Sequence, residues 1–484
     1  MIQKERLAIA ALALAAFLGT AALGSVNIAI PLIAADLNTS LSMVSWVISG
    51  YLLIIAGFGI IIGRVADFHG LKRTFLEGLL VFSAASLLCF SAGDIYLLIA
   101  SRFLQAAGAA MFIATGLALV AAGLPLSERG AGLSWISAAS MSGSVAGVGI
   151  GGIVSGIFGW RGLFLLMVLP GLAAFLVGRK YIPDTPAQPS GSSFDIAGSV
   201  LLFSALTTLL AGLSLDYQPT VSDMIPDSLY LVSLLLWAIF ILHARRTPEP
   251  VLDIALFKNR QFSFAVISKM IMDITLGGIM FFFPFILTLG LYLSTSTAGL
   301  ILMAAAGVAI LVSPVAGYLS DRFGSRPVCI AGVLLTLVTL AGLTMVNKEL
   351  FLPGILLIVI FRISFAVYSS PSAKLILDHC PPGQEGAASG IMQTSRNAAY
   401  TVGIALFVLI FERAVYSAGL PFDGTPIIPR LTEELMRTGY HATFAAAFLI
   451  TIPALLFSFL ARDRKEGRKE GAGQDEDDAG MTRF

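Results

Sequence analysis

Apolar residues fill this chain in long unbroken runs, and polar residues gather in short stretches between them. A helix needs about 20 apolar residues to cross a hydrocarbon layer ~30 Å thick. Runs bounded by charges and turn residues give fourteen candidates: 7–32, 42–63, 74–92, 96–123, 132–156, 162–178, 195–214, 228–244, 262–289, 297–318, 328–346, 351–370, 389–411 and 441–460. The runs 195–214 and 228–244 are the softest, bounded by Pro and Asp. Three segments fall outside the runs. Residues 181–194 are rich in Pro and Ser and read as a flexible linker. Residues 412–440 form the longest loop on their side and suggest a short helix near 432–437. Residues 462–484 begin basic and end with Asp475, Glu476, Asp477 and Asp478, the composition of a disordered tail.

Charge then orients the runs. With the N-terminus inside, inside loops collect Lys4, Arg6, Arg64, Lys72, Arg73, Arg129, Arg179, Lys180, Arg245, Arg246, Lys258, Arg260, Arg322, Arg326 and Lys374. Outside loops hold mainly Arg161, Lys348, Arg413, Arg430 and Arg437, and the acidic loop Asp216, Asp223, Asp227 also falls outside. The positive-inside rule therefore expects both termini in the cytoplasm and a multi-pass protein of the cell (inner) membrane. The first run is too long for a signal-peptide core and reads as a retained span.

Composition narrows the function classes. The chain has 484 residues, 57% hydrophobic and 12% charged, with a mean hydropathy of +0.89. Soluble domains do not have that balance. A net charge of +1 gives no basic surface for nucleic acid. Cys89, Cys329 and Cys380 sit in or beside apolar runs without metal-ligand spacing, and the four histidines are scattered, so no metal or other cofactor is expected. No nucleophile triad and no phosphate-binding Gly-Lys-Ser/Thr loop is present, which excludes an intrinsic ATP-driven pump and leaves no basis for an enzyme.

A short motif occurs twice, each time between apolar runs. The first copy is Gly63-Arg64-Val65-Ala66-Asp67-Phe68-His69-Gly70-Leu71-Lys72-Arg73, and the second is Gly317-Tyr318-Leu319-Ser320-Asp321-Arg322-Phe323-Gly324-Ser325-Arg326. A repeated charged turn implies a repeated bundle, and two facing bundles suit alternating access. In each copy the Asp can accept from exposed helix N-terminal amides and pair with Arg64, Arg73 or Arg326. Gly63 and Gly317 would allow close helix approach, and Gly70 and Gly324 the turn. Either the clusters bridge the bundles as an inside gate, or the basic loops serve topology alone.

The two loops resemble the signature loop of the major facilitator superfamily of secondary transporters. Further matches resemble its fourteen-span drug:proton antiporter family: Arg102-Phe103-Leu104-Gln105 with Gly108, the glycine row Gly143, Gly147, Gly151 and Gly152, Trp160-Arg161-x-x-Phe164, and the segment Glu249–Arg260. The resemblance implies a major facilitator fold. Residues 1–180 would form one six-helix bundle and 181–247 a linker with two extra central helices. A cytoplasmic linker and the second bundle would occupy 248–461, with the tail at 462–484. Asn27, Ala29 and Pro31 match a first-helix string of the family, but the acid expected before it falls at Ala22. Val148 stands where the fifth-helix motif carries Pro.

Charges at mid-span face protein or a watery cavity, because burial in lipid costs about 3 kcal/mol on insertion scales. Arg102, Lys269, Asp273, Arg362 and Arg396 qualify, whereas Glu77 and Glu412 lie near span ends where the interface is in reach. The resemblance puts Arg102, Lys269, Asp273 and Arg362 on cavity helices. Lys269 and Asp273 share a helix face at i, i+4. They are read either as a proton-coupling pair or as a self-neutralising pair that lets the span insert. Arg102 and Gln105 either touch substrate or brace the fourth span. Gln393, Arg396, Asn397 and Tyr400 form one stripe, for packing, gate bracing or binding. The glycine row allows tight helix packing.

The leading expectation is a proton-coupled exporter of amphiphilic or drug-like compounds, working as a monomer among membrane lipids. Excess buried positive charge suggests a substrate with an anionic part. A lipid or lysolipid translocase on the same fold is the alternative, and a non-transporting membrane sensor the class-level one.

Overall fold

The computed structural model describes residues 3–184, 195–216, 222, 224–248, 250–345, 351–381, 384–420 and 430–463. Among the described residues, fourteen helices are long and apolar enough to cross a membrane. They are α1 (Gln3–Asp36), α2 (Leu41–His69), α3 (Leu71–Phe90), α4 (Ile95–Gly123), α5 (Leu126–Phe158), α6 (Arg161–Tyr181), α7 (Ile196–Leu215), α8 (Met224–Ala244), α9 (Arg260–Phe285), α10 (Thr295–Phe323), α11 (Ser325–Leu343), α12 (Phe351–Asp378), α13 (Glu385–Ser417) and α14 (Glu433–Leu460). An even count returns the chain to the face it left. That face is called here the terminal face, and the other the opposite face.

Helices outrun the apolar runs that announce them, because polar caps rather than lipid limits end them. Asp94 accepts from Leu97 N at 2.9 Å to start α4, and Ser294 from Thr297 N at 3.1 Å to start α10. Thr432 caps α14. The short helix expected near 432–437 is therefore the first turns of α14 and not a separate element. The two motif turns hinge on Gly70 (φ 94) and Gly324 (φ 91), a region that favours glycine. The tail beyond 463 and linker residues 185–194 lie outside the described residues.

Helices α1–α6 pack together, as do α9–α14, and α7–α8 form an extra hairpin whose α7 lies on α2 and α13. Asp195 anchors that hairpin. It accepts from Gly198 N at 2.7 Å and Val251 N at 3.2 Å and meets His243 Nε2 at 2.6 Å. Burial pushes the Asp195 carboxyl up, but these bonds outweigh it and hold it below its ordinary value. Leu234, Leu311, Val338 and Leu169 are among many large apolar side chains left exposed. That outward face is what a lipid-embedded bundle requires.

The apolar clusters show how the two bundles meet. Near the opposite face one cluster unites them: Val26 and Ile30 of α1, Val44 of α2, Phe282 of α9, and Phe407 and Phe411 of α13. Toward the terminal face the clusters are separate. One holds first-bundle residues such as Leu12, Phe75 and Leu119. Another holds second-bundle residues such as Phe262, Leu375 and Ile391. The two bundles thus share one apolar core near the opposite face, while these described clusters toward the terminal face each stay within one bundle.

Candidate functional site

Helix α9 carries the charge that the first helix lacks. Asp273 is fully buried, and Lys269 Nζ stands 3.2 Å from its Oδ2. Neither Asp273 oxygen accepts a conventional hydrogen bond among the described residues, so the ammonium is its direct polar contact. The guanidinium of Arg396 on α13 is near enough for its charge to act on the carboxylate. Ser268, on the same helix, bonds Tyr368 and Ser458 at 2.8 Å each. Thr275 bonds Thr451 at 2.9 Å, so hydroxyls from α12 and α14 fix the rest of this stretch.

The position of α13 follows from two glycines. A side chain at Gly277 would collide with the Tyr400 backbone, and one at Gly403 with the Ile274 backbone. The two helices therefore cross in near-backbone contact, which brings Arg396 and Tyr400 beside Asp273 and Arg362. Arg396 is exposed although it lies deep within its helix. Arg362 donates to Met280 Sδ at 3.5 Å, and the Tyr400 phenol and the Arg396 guanidinium are its titratable neighbours. Asn27 of α1 donates to Met280 O at 3.3 Å, while its buried Oδ1 has no partner. Asn27, Lys269, Asp273, Arg362, Arg396 and Tyr400 thus converge from four helices and both bundles.

Arg102 and Gln105 do not join them. Arg102 is fully buried within the first bundle. It donates to Val47 O at 3.0 Å and to Gln105 Oε1, and lies 4.1 Å from the Tyr51 ring centre. Gln105 Nε2 donates onward to Ser86 at 2.7 Å. The expectation of a cavity contact is corrected here: backbone carbonyl, amide and ring hold the guanidinium, whose Nη2 has no hydrogen-bond partner among the described residues, and it braces α4 against α2.

The motif-loop ion pairs seen among the described residues lie within single bundles. Asp321 pairs with Lys374 at 2.6 Å, not with Arg326. The α11 amides of Ser325 and Arg326 donate to Asp463 at 2.8 and 3.0 Å. The capping acid is therefore at the end of α14 and not in the motif, because Asp321 still belongs to the last turn of α10. A Cβ at Gly317 would touch only Ser370, at an ordinary 3.6 Å, so no close approach is made there. Arg73 pairs with Glu77 at 2.9 Å. Gly63, Arg64 and Asp67 lie in α2, but their surroundings fall outside the described residues.

The glycine row divides between two partners. Gly143, Gly147 and Gly151 back onto α1, where a Cβ at Gly147 would lie 2.7 Å from Ala21 Cα. Gly152 instead meets Gly299 of α10 across the bundles, its Cβ position 2.7 Å from Gly299 Cα. A second contact across the bundles corrects the placing of Glu412 at the interface. This residue is buried, accepting from Ser42 N at 3.1 Å and from Ser42 Oγ. Sequence reasoning missed it because the next residue, Arg413, does reach out, to Asp216 at 2.8 Å. Trp160 and Arg161 both donate to Asp36, at 3.0 and 2.6 Å, tying the start of α6 to the end of α1.

Known proteins match this arrangement. The riboflavin transporter RibZ of Clostridioides difficile (strain 630) is 30% identical over 393 residues, covering 80% of this chain and 84% of the relative. The tetracenomycin C resistance and export protein of Streptomyces glaucescens is 28% identical, covering 81% and 73%. The putative multidrug resistance protein MdtD of Escherichia coli O8 (strain IAI1) is 25% identical over 90% of this chain and 91% of its own. Among solved structures, an inward-facing, unoccupied bacterial homologue of the human lysosomal transporter Spinster superposes with a TM-score of 0.70 at 15% identity, covering 95% and 97%. The Major Facilitator Superfamily profile matches residues 12–404 and 265–480. A two-bundle fold with two extra central helices, matched by that profile over most of its length, makes this chain a member of the Major Facilitator Superfamily, a transporter and not an enzyme.

Proposed function

We propose that the chain is a proton-coupled exporter of amphiphilic, drug-like compounds that works by alternating access, with the terminal face in the cytoplasm. The relatives' export and multidrug-resistance names support the substrate class. The basic loops support the orientation in the cell membrane. The apolar core shared near the opposite face, with separate clusters toward the terminal face, suits one of the two end states such a cycle needs.

The Lys269–Asp273 pair carries the coupling role. A buried ion pair stabilises only when further hydrogen bonds complete it, and here Asp273 has none. It is a weak brace and a suitable proton site, beside the exposed Arg396. Purified protein in proteoliposomes, given an imposed proton gradient and a fluorescent aromatic panel that includes riboflavin and tetracenomycin C, tests this. Wild type should move at least one compound with the gradient, and Asp273→Asn should lose the gradient's effect. Gradient-driven transport that survives unchanged in Asp273→Asn would sink the role of Asp273.

A further inference from the structure

The charges around Asp273 do not balance. Two cations, Lys269 and Arg396, act on one carboxylate, and a third, Arg362, lies beside Arg396. Lys269 takes that carboxylate at 3.2 Å. Arg362 has only the Met280 sulfur as a hydrogen-bond partner among the described residues. Arg396 has neither ion pair nor hydrogen bond there, and it is exposed. Tyr400 is near enough to both guanidinium groups for their charge to act on it. Across the cavity, Asn27 spends its donor on Met280 O, which fixes the amide's orientation and leaves Oδ1 as a buried acceptor with no donor. Guanidinium groups that lack carboxylate partners are suited to bind an anion, and an empty amide acceptor is suited to an N–H or O–H.

We propose that Arg362, Arg396, Tyr400 and Asn27 bind an apolar molecule bearing one anionic group beside an N–H or O–H donor, and that this anion binds together with the proton rather than in exchange for it. The proposal rests on the transporter reading above, at the same site, and narrows it: an anionic compound carried with the proton is driven inward by the proton gradient, and gradient-driven export is left to compounds that bind in exchange for the proton.

The sign follows from the groups that face Asp273. Its own helix brings Lys269, α13 brings Arg396, and α12 brings the phenol of Tyr368. From α14 come the hydroxyls Thr451 and Ser458, and from α11 the thiol of Cys329 beside Lys269. Helix α1 carries no charge between Arg6 and Asp36. Asp273 is therefore the one carboxylate in direct contact with these cations among the described residues, while Asp463 acts on the Cys329 side of the cluster. A proton on Asp273 removes its charge and leaves the cations to the substrate's anionic group. By linkage, a bound anion raises the affinity for the proton by the same factor. An anionic compound would then travel with the proton, and a cationic one against it.

Equilibrium binding to the full chain in nanodiscs tests this with naphthalene-2-sulfonate, whose charge does not change with pH, and with the neutral naphthalene-2-sulfonamide. At low pH the sulfonate should bind wild type about tenfold or more tightly than the sulfonamide, and should weaken about tenfold as the pH is raised. Arg362→Gln and Arg396→Gln should each weaken the sulfonate and spare the sulfonamide. Asp273→Asn should hold the sulfonate at its low-pH affinity throughout. Equal binding of the two probes by wild type would overturn the anion site, and that comparison needs no variant to fold. A pH dependence that persists in Asp273→Asn, or runs the other way, would overturn the linkage. Gradient-driven transport is read separately in liposomes, so intact sulfonate binding with no transport would count against the exporter and not against this site.

Discussion

Lys269 precedes Asp273 by one helical turn, the less favourable order for an i, i+4 ion pair, which again marks the pair as something other than a brace. Its residues were legible in the sequence, since two opposite charges at that spacing stand out in an apolar run. The third member was not, because Arg396 reaches Asp273 through a helix crossing set by Gly277 and Gly403, and no spacing along one helix reveals a contact between two. Glu412 was hidden for a similar reason, with its partner Ser42 370 positions away. Glu412→Ala would leave the buried Ser42 N–H and hydroxyl without an acceptor, at about 1–3 kcal/mol per group. The state joined at the opposite face should then lose about tenfold or more in population. Labelling of a Val44→Cys reporter by a membrane-impermeant maleimide should speed up accordingly, and less so in Glu412→Gln, which keeps a carbonyl acceptor.

Among elements, helix number and order were readable because a span must be apolar over its whole length. Ends were less so. The run 389–411 became Glu385–Ser417 and the run 132–156 became Leu126–Phe158, since polar residues beyond the hydrocarbon still make helix. The faces of α5 were not readable at all. Its glycines fall on two sides, three against α1 within a bundle and Gly152 against Gly299 between bundles. Both atoms nearest a Gly152 side chain are backbone, so neither can swing away. Gly152→Val is therefore expected to force α5 and α10 apart at the opposite face, whereas Gly147→Val should damage folding of the first bundle. Accessibility of a Ser296→Cys reporter, compared with the yield of monodisperse protein, separates the two. Greater labelling without loss of yield is expected for the Gly152 change alone.

For the molecule as a whole, the described contacts divide into those that join the bundles and those that stabilise each one. Joining contacts, from Gly152 to Glu412, gather at the opposite face. At the terminal face, among the described residues, Lys72–Asp184 at 2.7 Å ties the first bundle to itself and Lys374–Asp321 the second. Asp463 belongs to this second kind, and it has a practical side. It lies three residues past the last helix, where purification tags and trimmed ends are usually placed, yet it caps a helix that begins at Ser325. Trimming the protein after Ala461 should strip α11 of that cap and lower the melting temperature in detergent, by an amount in line with the ~1 kcal/mol of a lost N-cap. Trimming after residue 463 should leave it unchanged. A tag for crystallisation or imaging therefore belongs beyond that aspartate, and a stability screen that varies the C-terminal boundary should treat residue 463 as part of the folded domain.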